Sequence, residues 1–288
     1  MDRLAPFFTR FSLSARVFYS GRLCGVSGDH NAVNVGFLHV LRRGVLNVEL
    51  ANGRVTVIDE PSVLFYPRPC RHRFRANRKT GAELVCAAIE FGAGMRNPLL
   101  VTLPEFLVVP LAAVGELAPT VELLFSEAFS QQPGRQTAVD RLAEYFLVLL
   151  LRAVMNARLV EGGVLSGLAD ARLAPAITAM HERPERAWSL EALARRAGMS
   201  RARFAARFRE VMGVTPFDYL ADWRIGVAQT LLRKGEPLKT VAPAVGYTNA
   251  TALTRVFSKR IGESPTRWLA KSYETPGLFT WRTRRVIS

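Results

Sequence analysis

Between Ser200 and Arg209 the chain sets Arg201, Arg203, Arg207 and Arg209 among Ala202, Ala205 and Ala206. On a helix, such a stretch offers guanidinium groups that can bond guanine or phosphate. Beside them stand side chains small enough for the backbone to approach base edges. Ser200 suits a helix N-cap, and a capped helix start itself favours a phosphate. A second stretch, Asn249, Ala250, Thr251, Arg255 and Lys259, offers a similar surface. The chemistry implied is the holding of a polyanion. A different set stands in the first third of the chain: Cys24, His39, His72 and Cys86. Three readings compete for it. The four are buried structural residues; or Cys24 and Cys86 join under oxidant; or Cys24, His39 and His72 hold a soft metal through thiolate and imidazole. No other cofactor is expected. Cys70, beside His72 on a Pro-rich turn, reads as a bystander.

The elements that must position the arginines come from an internal repeat. Leu190, Ala194, Ala197, Gly198 and Ser200 recur 48 positions later as Leu238, Ala242, Val245, Gly246 and Thr248. Phe204, Phe208, Gly213 and Pro216 recur 49 positions later as Leu253, Phe257, Gly262 and Pro265, so the second copy carries one extra residue just after its turn. Each copy is patterned as a short helix, a glycine turn and a longer helix, the helix-turn-helix arrangement whose second helix enters the major groove. Pro216 to Leu232 is expected to be a rigid helix between the copies. Pro243, inside the first helix of the second copy, is expected to kink or loosen that unit.

Residues 30–92 carry short apolar runs at Ala32–Val40, Val45–Leu50, Val55–Ile58, Val63–Tyr66 and Glu83–Phe91. Asn52-Gly53 is a hairpin signal between two of them, and the spacing suggests a compact β-barrel or sandwich. From Gly115 the period becomes helical, with Leu117, Val121, Leu124 and Phe125 on one face and Val139, Leu142, Phe146, Leu149 and Leu150 on another. These helices are patterned to cap the β-domain or to meet a partner protomer. The net charge is +15, and the residues after 170 hold 21 Lys/Arg against 9 Asp/Glu, a local excess of +12. Charge segregated in this way points to nucleic acid. Three cysteines in 288 residues do not form a secreted disulfide framework. With no signal peptide and no membrane-spanning apolar run, the cytoplasm is the expected compartment.

Two longer patterns resemble a known family. Trp188-Ser189-Leu190-Glu191-Ala192-Leu193-Ala194, Gly198-Met199-Ser200-Arg201, Phe208-Arg209 and Thr215-Pro216 come first. They are followed by Trp223-Arg224, Val245-Gly246-Tyr247, Arg255, Phe257 and Ser264-Pro265. Over about residues 172–270 this order resembles the AraC family of transcriptional regulators. Residues 10–110 resemble its cupin-type effector domain through Phe18-Tyr19-Ser20-Gly21, Cys24-Gly25, His39-Val40-Leu41-Arg42, Leu64-Phe65-Tyr66-Pro67, His72 and Cys86. The resemblance implies two recognition helices in successive major grooves. Ala202, Ala205 and Ala206 stand at base-reading positions of the first, and Ala250, Thr251 and Arg255 at those of the second. Three alanines are a departure that shifts weight to Arg201, Arg203 and Arg207. The resemblance also implies oxidant sensors with cysteines at the positions of Cys24 and Cys86. A cupin enzyme is disfavoured, because His39 has no histidine two residues away and Glu49 lies a hairpin arm further on.

The expected fold is α+β multidomain. A cupin-like β-barrel domain at 1–112 is followed by a helical coupling or dimerisation segment at 113–168. An all-α tandem helix-turn-helix domain at 169–271 and a tail at 272–288, with Phe279, Trp281, Arg282, Arg284 and Arg285, complete it. The expected function is sequence-specific DNA-binding transcription regulation, controlled by a ligand or redox signal. The alternatives are a cupin-type metalloenzyme with an accessory DNA-binding domain and a constitutive architectural binder. The expected partners are double-stranded DNA, RNA polymerase, a small-molecule or oxidant effector and a second copy of the chain, with no membrane.

Overall fold

The computed structural model describes residues 2–27, 30, 35–92, 97–101 and 103–274. The tail residues Phe279 to Arg285 and the start of the run at Ala32 lie outside the described residues. The chain forms two compact units. Among the described residues, one takes Leu13–Phe91 and Pro104–Ala153; the other takes residues 2–12, 92, 97–101, 103 and 154–274.

The first unit is a sandwich of two antiparallel sheets rather than one closed barrel. Its strands are β1 (Leu13–Leu23), β2 (Gly25–Val26), β3 (Gly36–Gly44), β4 (Leu46–Leu50), β5 (Val55–Ile58), β6 (Ser62–Tyr66), β7 (His72–Ala76), β8 (Ala82–Phe91) and β9 (Leu107–Pro110). One sheet has the order β1-β8-β3-β6-β9, the other β2-β7-β4-β5. The Asn52-Gly53 turn joins β4 to β5 as expected, with Leu46 opposite Ile58 and Glu49 opposite Val55. Alternation then fixes the interior. Phe37 and Leu41, Leu46 and Val48, Leu64 and Tyr66, Phe74, and Leu84 and Cys86 meet in one apolar cluster between the sheets. Sequence reasoning missed β1, β2, β7 and β9. The first mixes Arg and Ser with its apolar residues and carries a bulge between Val17 and Tyr19; β7 alternates with two arginines.

Helices α3 (Ala118–Ala128) and α4 (Arg135–Asn156) follow a 3-10 stretch at Leu111–Leu117. They cover the outer face of the five-stranded sheet. Arg42 of β3 pairs with Glu122 at 3.6 Å and lies 4.4 Å from the centre of the Phe125 ring. On β1, the N–H of Val17 donates to Asp140 and that of Ala15 to Glu144. These carboxylates occupy donors of an edge strand that would otherwise be open to another chain.

The second unit is all helical. It contains α1 (Ala5–Arg10), α2 (Pro98–Val101), α5 (Gly163–Ala169), α6 (Ala174–Glu182), α7 (Leu190–Arg196), α8 (Arg201–Met212), α9 (Pro216–Arg233), α10 (Leu238–Ala244), α11 (Ala250–Ile261) and α12 (Pro265–Glu274). Residues from both ends of the β-domain sequence therefore belong to it. Phe7 and Phe11 stand edge-on to Trp223, with ring centres at 4.8 and 5.1 Å, and Phe7 meets His181 at 4.8 Å. Arg10 donates to the Glu182 carbonyl and Arg3 to that of Leu168. Among the described residues no helix is long and apolar enough to cross a membrane.

Candidate nucleic-acid interface and sensor core

Both helix-turn-helix copies form, and their second helices are built alike, although α10 starts on Pro237 without a side-chain cap. Ser189 and Ser200 accept from the N–H of Ala192 and Arg203, Thr215 from Asp218, and Asn249 from Ala252, so four helix starts are capped. Both recognition helices, α8 and α11, end on a glycine in the left-handed region, Gly213 and Gly262. Phe204, Phe208, Leu253 and Phe257 are fully buried. The cap of α11 is Asn249, one residue beyond the Thr248 aligned from the repeat, so the extra residue sits inside the second turn. Pro243 is the penultimate residue of α10, where it removes a single donor and the helix still forms.

Arg201, Ala202, Arg203, Ala206 and Arg209 are exposed on α8, and Thr251, Arg255 and Lys259 on α11. Ala205 and Ala250 are only half-exposed. Arg207 departs from its expected role. Its guanidinium bonds Asp170 at 3.0 and 3.1 Å and Glu210 at 3.1 Å, so it is committed within the unit. That pairing raises the Arg207 pKa above its ordinary value. Arg260 is similarly held by Asp218 and Asp222 of α9, at 2.8 and 2.6 Å. Arg224, quoted above for the resemblance but given no role there, donates to the carbonyls of Pro184, Arg186 and Gly246. It anchors the second turn, where Gly246 has φ +81° and a Cβ would lie 2.6 Å from Arg224 Nη2.

In the sandwich unit, His39 and His72 meet inside the apolar cluster, their Nε2 atoms 2.9 Å apart. The Nδ1–H of His72 donates to the Cys70 carbonyl at 2.8 Å. In the neutral ring its Nε2 is then an acceptor, and His39 Nε2–H is the donor. Burial holds both pKa values down, His39 well below the ordinary histidine range and His72 at about 3, with His30 adding to each. His30, which sequence reasoning missed, bridges His72 through backbone bonds, and its ring centre lies 4.8 Å from that of His72. Tyr66 stacks on His72 at 3.9 Å.

The structure does not bring all four sensor candidates together. Cys86 is buried on β8 opposite His39, whereas Cys24 is exposed beyond the end of β1. Leu23 pairs with Ala82, so the two cysteines stand at least four strand positions apart, on the order of 13 Å at the usual rise. Tyr19 lies between them; burial, then Cys86, then Cys24 raise its phenol to about 12. The soft-metal set of Cys24, His39 and His72 is not assembled. Among the described residues no group of three or more His, Cys, Asp or Glu is arranged to hold a metal. Glu49 pairs with Arg75 at 3.0 Å.

Comparison with known proteins agrees with both units. The Cupin family model matches residues 2–156, and the Helix-turn-helix domain model matches residues 193–271. A putative AraC-like transcription regulator of Streptomyces lividans is 34% identical over 66% of this chain and 64% of its own length. The RCS-specific HTH-type transcriptional activator RclR of Escherichia coli K12 is 30% identical over 79% of this chain and 81% of its own. A solved structure of the DNA-binding domain of AdpA in complex with a target DNA is 31% identical over 36% of this chain and 95% of that one, with a TM-score of 0.34. This chain spans slightly less than two thirds of the Streptomyces relative and four fifths of the E. coli one. The capped tandem helix-turn-helix units, the two-sheet sandwich, the two family models and the two regulator relatives converge on one assignment: the chain belongs to the AraC family of DNA-binding transcriptional regulators, with an N-terminal cupin domain.

Proposed function

We propose that the chain is a sequence-specific regulator that grips a promoter with α8 and α11 and answers to an oxidant sensed in the cupin domain. The observation that carries the DNA reading is the exposure of Arg201, Arg203, Arg209, Arg255 and Lys259 on two capped recognition helices, with no carboxylate paired to any of them among the described residues. Double-stranded DNA is the partner these surfaces suit, and RNA polymerase is the machinery such binding would recruit or block. The setting is the cytoplasm. A homodimer is the assembly we favour, since Leu123 of α3 and Tyr145 of α4 are more than half exposed in the cupin unit. No catalytic role is proposed. Selection from random duplexes, followed by footprinting, tests the reading; protection of two adjacent major-groove segments is expected. Binding without sequence preference would overturn it in favour of an architectural role.

The oxidant reading rests on Cys24, exposed and therefore accessible, and on the name of the E. coli relative. Attack of the Cys24 thiolate on hydrogen peroxide breaks the O–O bond and gives a sulfenic acid and hydroxide, which takes a proton from solvent to become water. The Cys86 thiol then displaces a second water, and the two thiols together lose two electrons and two protons. Cys86 is buried and its thiol pKa is pushed up, so it reacts second. A disulfide needs Cα atoms within about 7 Å, so β1 must part from β8 near the bulge at Tyr19 before the bond closes. Cys24→Ser and Cys86→Ser should each abolish an oxidant response in a reporter assay. An unchanged response in either variant would reject the pair.

A further inference from the structure

The turn from α4 into the helical unit holds an unusual residue. Leu159 N–H donates to the Val154 carbonyl and Arg158 N–H to that of Met155, the paired bonds of a Schellman helix end. The left-handed residue such an end requires is normally glycine. Here it is Arg158, with φ +52°, the only non-glycine residue at positive φ among those described. A long side chain kept in a strained conformation is a pointer to function, provided something else marks the place.

The second mark is a concavity of about 570 Å³ beside the recognition helix. Its lining includes Arg158, Arg172 of the α5–α6 turn, and Arg203 and Arg207 of α8, against Asp170 and Glu210. Both carboxylates are taken by Arg207. Arg158, Arg172 and Arg203 are exposed, and none has a carboxylate partner among the described residues. Arg203 and Ala206 belong at once to this concavity and to the exposed face of α8.

We infer that this concavity seats the sugar-phosphate backbone of DNA flanking the groove that α8 enters, with Arg158 and Arg172 as non-reading clamp residues. The inference rests on the DNA-binding reading above and adds a contact outside both helix-turn-helix units. Phosphate contacts position a protein without reading sequence, and each contributes about 0.9 to the slope of log affinity against log salt.

The test uses the full chain, a duplex recovered by selection and a scrambled duplex of the same length. Arg158→Gly with Arg172→Ala should lower the salt slope by about two on both duplexes. At 0.15 M salt each duplex should bind about 30-fold more weakly, the factor two such contacts give. The ratio between the duplexes should not change. Arg158→Gly alone should leave Tm equal or raise it by roughly 2–4 °C, because glycine relieves the strain. Arg172→Glu, at an exposed site, should lower the slope more than Arg172→Ala. An unchanged slope would overturn the inference, as would a changed ratio, which would make the arginines readers. A fall in Tm with Arg158→Gly would assign Arg158 to the fold and also overturn it. A wild-type chain that binds no duplex would fail the DNA reading itself.

Discussion

Arg255 and Arg207 both sit on the second helices of their units, yet only Arg207 is held by carboxylates among the described residues. Arg255 is exposed on α11 without an ion pair among the described residues, so Arg255→Ala should relax sequence preference by about 1–3 kcal/mol at one base pair. Equal weakening on every duplex would reduce it to a phosphate contact. Arg207 looked equivalent in the sequence because its partner, Asp170, lies 37 residues upstream on another element. Spacing along one helix carries no trace of such a pair. The buried histidines make a second residue-scale prediction. His39, His72 and His181 all have folded pKa values far below the ordinary 6.5, with burial the largest cause. Below pH 6.5 the unfolded chain binds protons that the folded one refuses, so stability is full above 6.5 and falls as pH drops toward 3. His72 and His181, both held at about 3, should each cost about 2 kcal/mol between pH 6.5 and 5, measurable as a falling urea midpoint. A flat midpoint over that range would contradict their burial as neutral rings.

At the scale of elements, the repeat was legible because each unit states its limits in capping residues and glycines. Ser189, Ser200, Thr215 and Asn249 cap helices by side-chain acceptance. Ser200→Ala should therefore destabilise the helical unit by about 1 kcal/mol. The two turn glycines are less alike than the sequence suggests. A Cβ on Gly198 would meet nothing within 4 Å, whereas one on Gly246 would strike Arg224 and the Glu185 carbonyl. Gly198→Ala should cost about 1–2 kcal/mol from backbone strain alone. Gly246→Ala should cost more, with faster amide exchange confined to α10 and α11. Equal costs would mean that Arg224 yields freely. α10 accommodates Pro243 because the helix ends one residue later. In the cupin domain the hairpin and apolar strands were legible, whereas β1 and β7 were hidden by outward arginines. The pairing of His39 with His72 could be proposed from their types. The exclusion of Cys24 could not, since it depends on where β1 stops.

At the scale of the molecule, the sequence boundary near residue 170 misses that the helical unit includes residues 2–12 and 97–103. Nothing local marks the six-residue α1 as its part; the evidence is that Phe7 and Phe11 fit against Trp223, and that Phe11 also fills the space beside Gly226. Phe7→Ala should destabilise this unit by about 3–5 kcal/mol, seen as an earlier unfolding step reported by Trp223 fluorescence. Loss below 1 kcal/mol would show the contact to be dispensable. The same contact orders events during synthesis. Phe7 leaves the ribosome long before Trp223 exists, and at ~5–20 residues per second the interval is roughly 10–40 s. Throughout it the aromatic residues of α1 lack their Trp223 contact, while the cupin sheets, whose strands end at Pro110, can already pair. The helical unit must therefore be completed from segments on either side of the cupin strands, and it folds after them. Arrested chains ending before α9 should bind a trigger-type chaperone through Phe7 and Phe11, and release it once Trp223 has emerged.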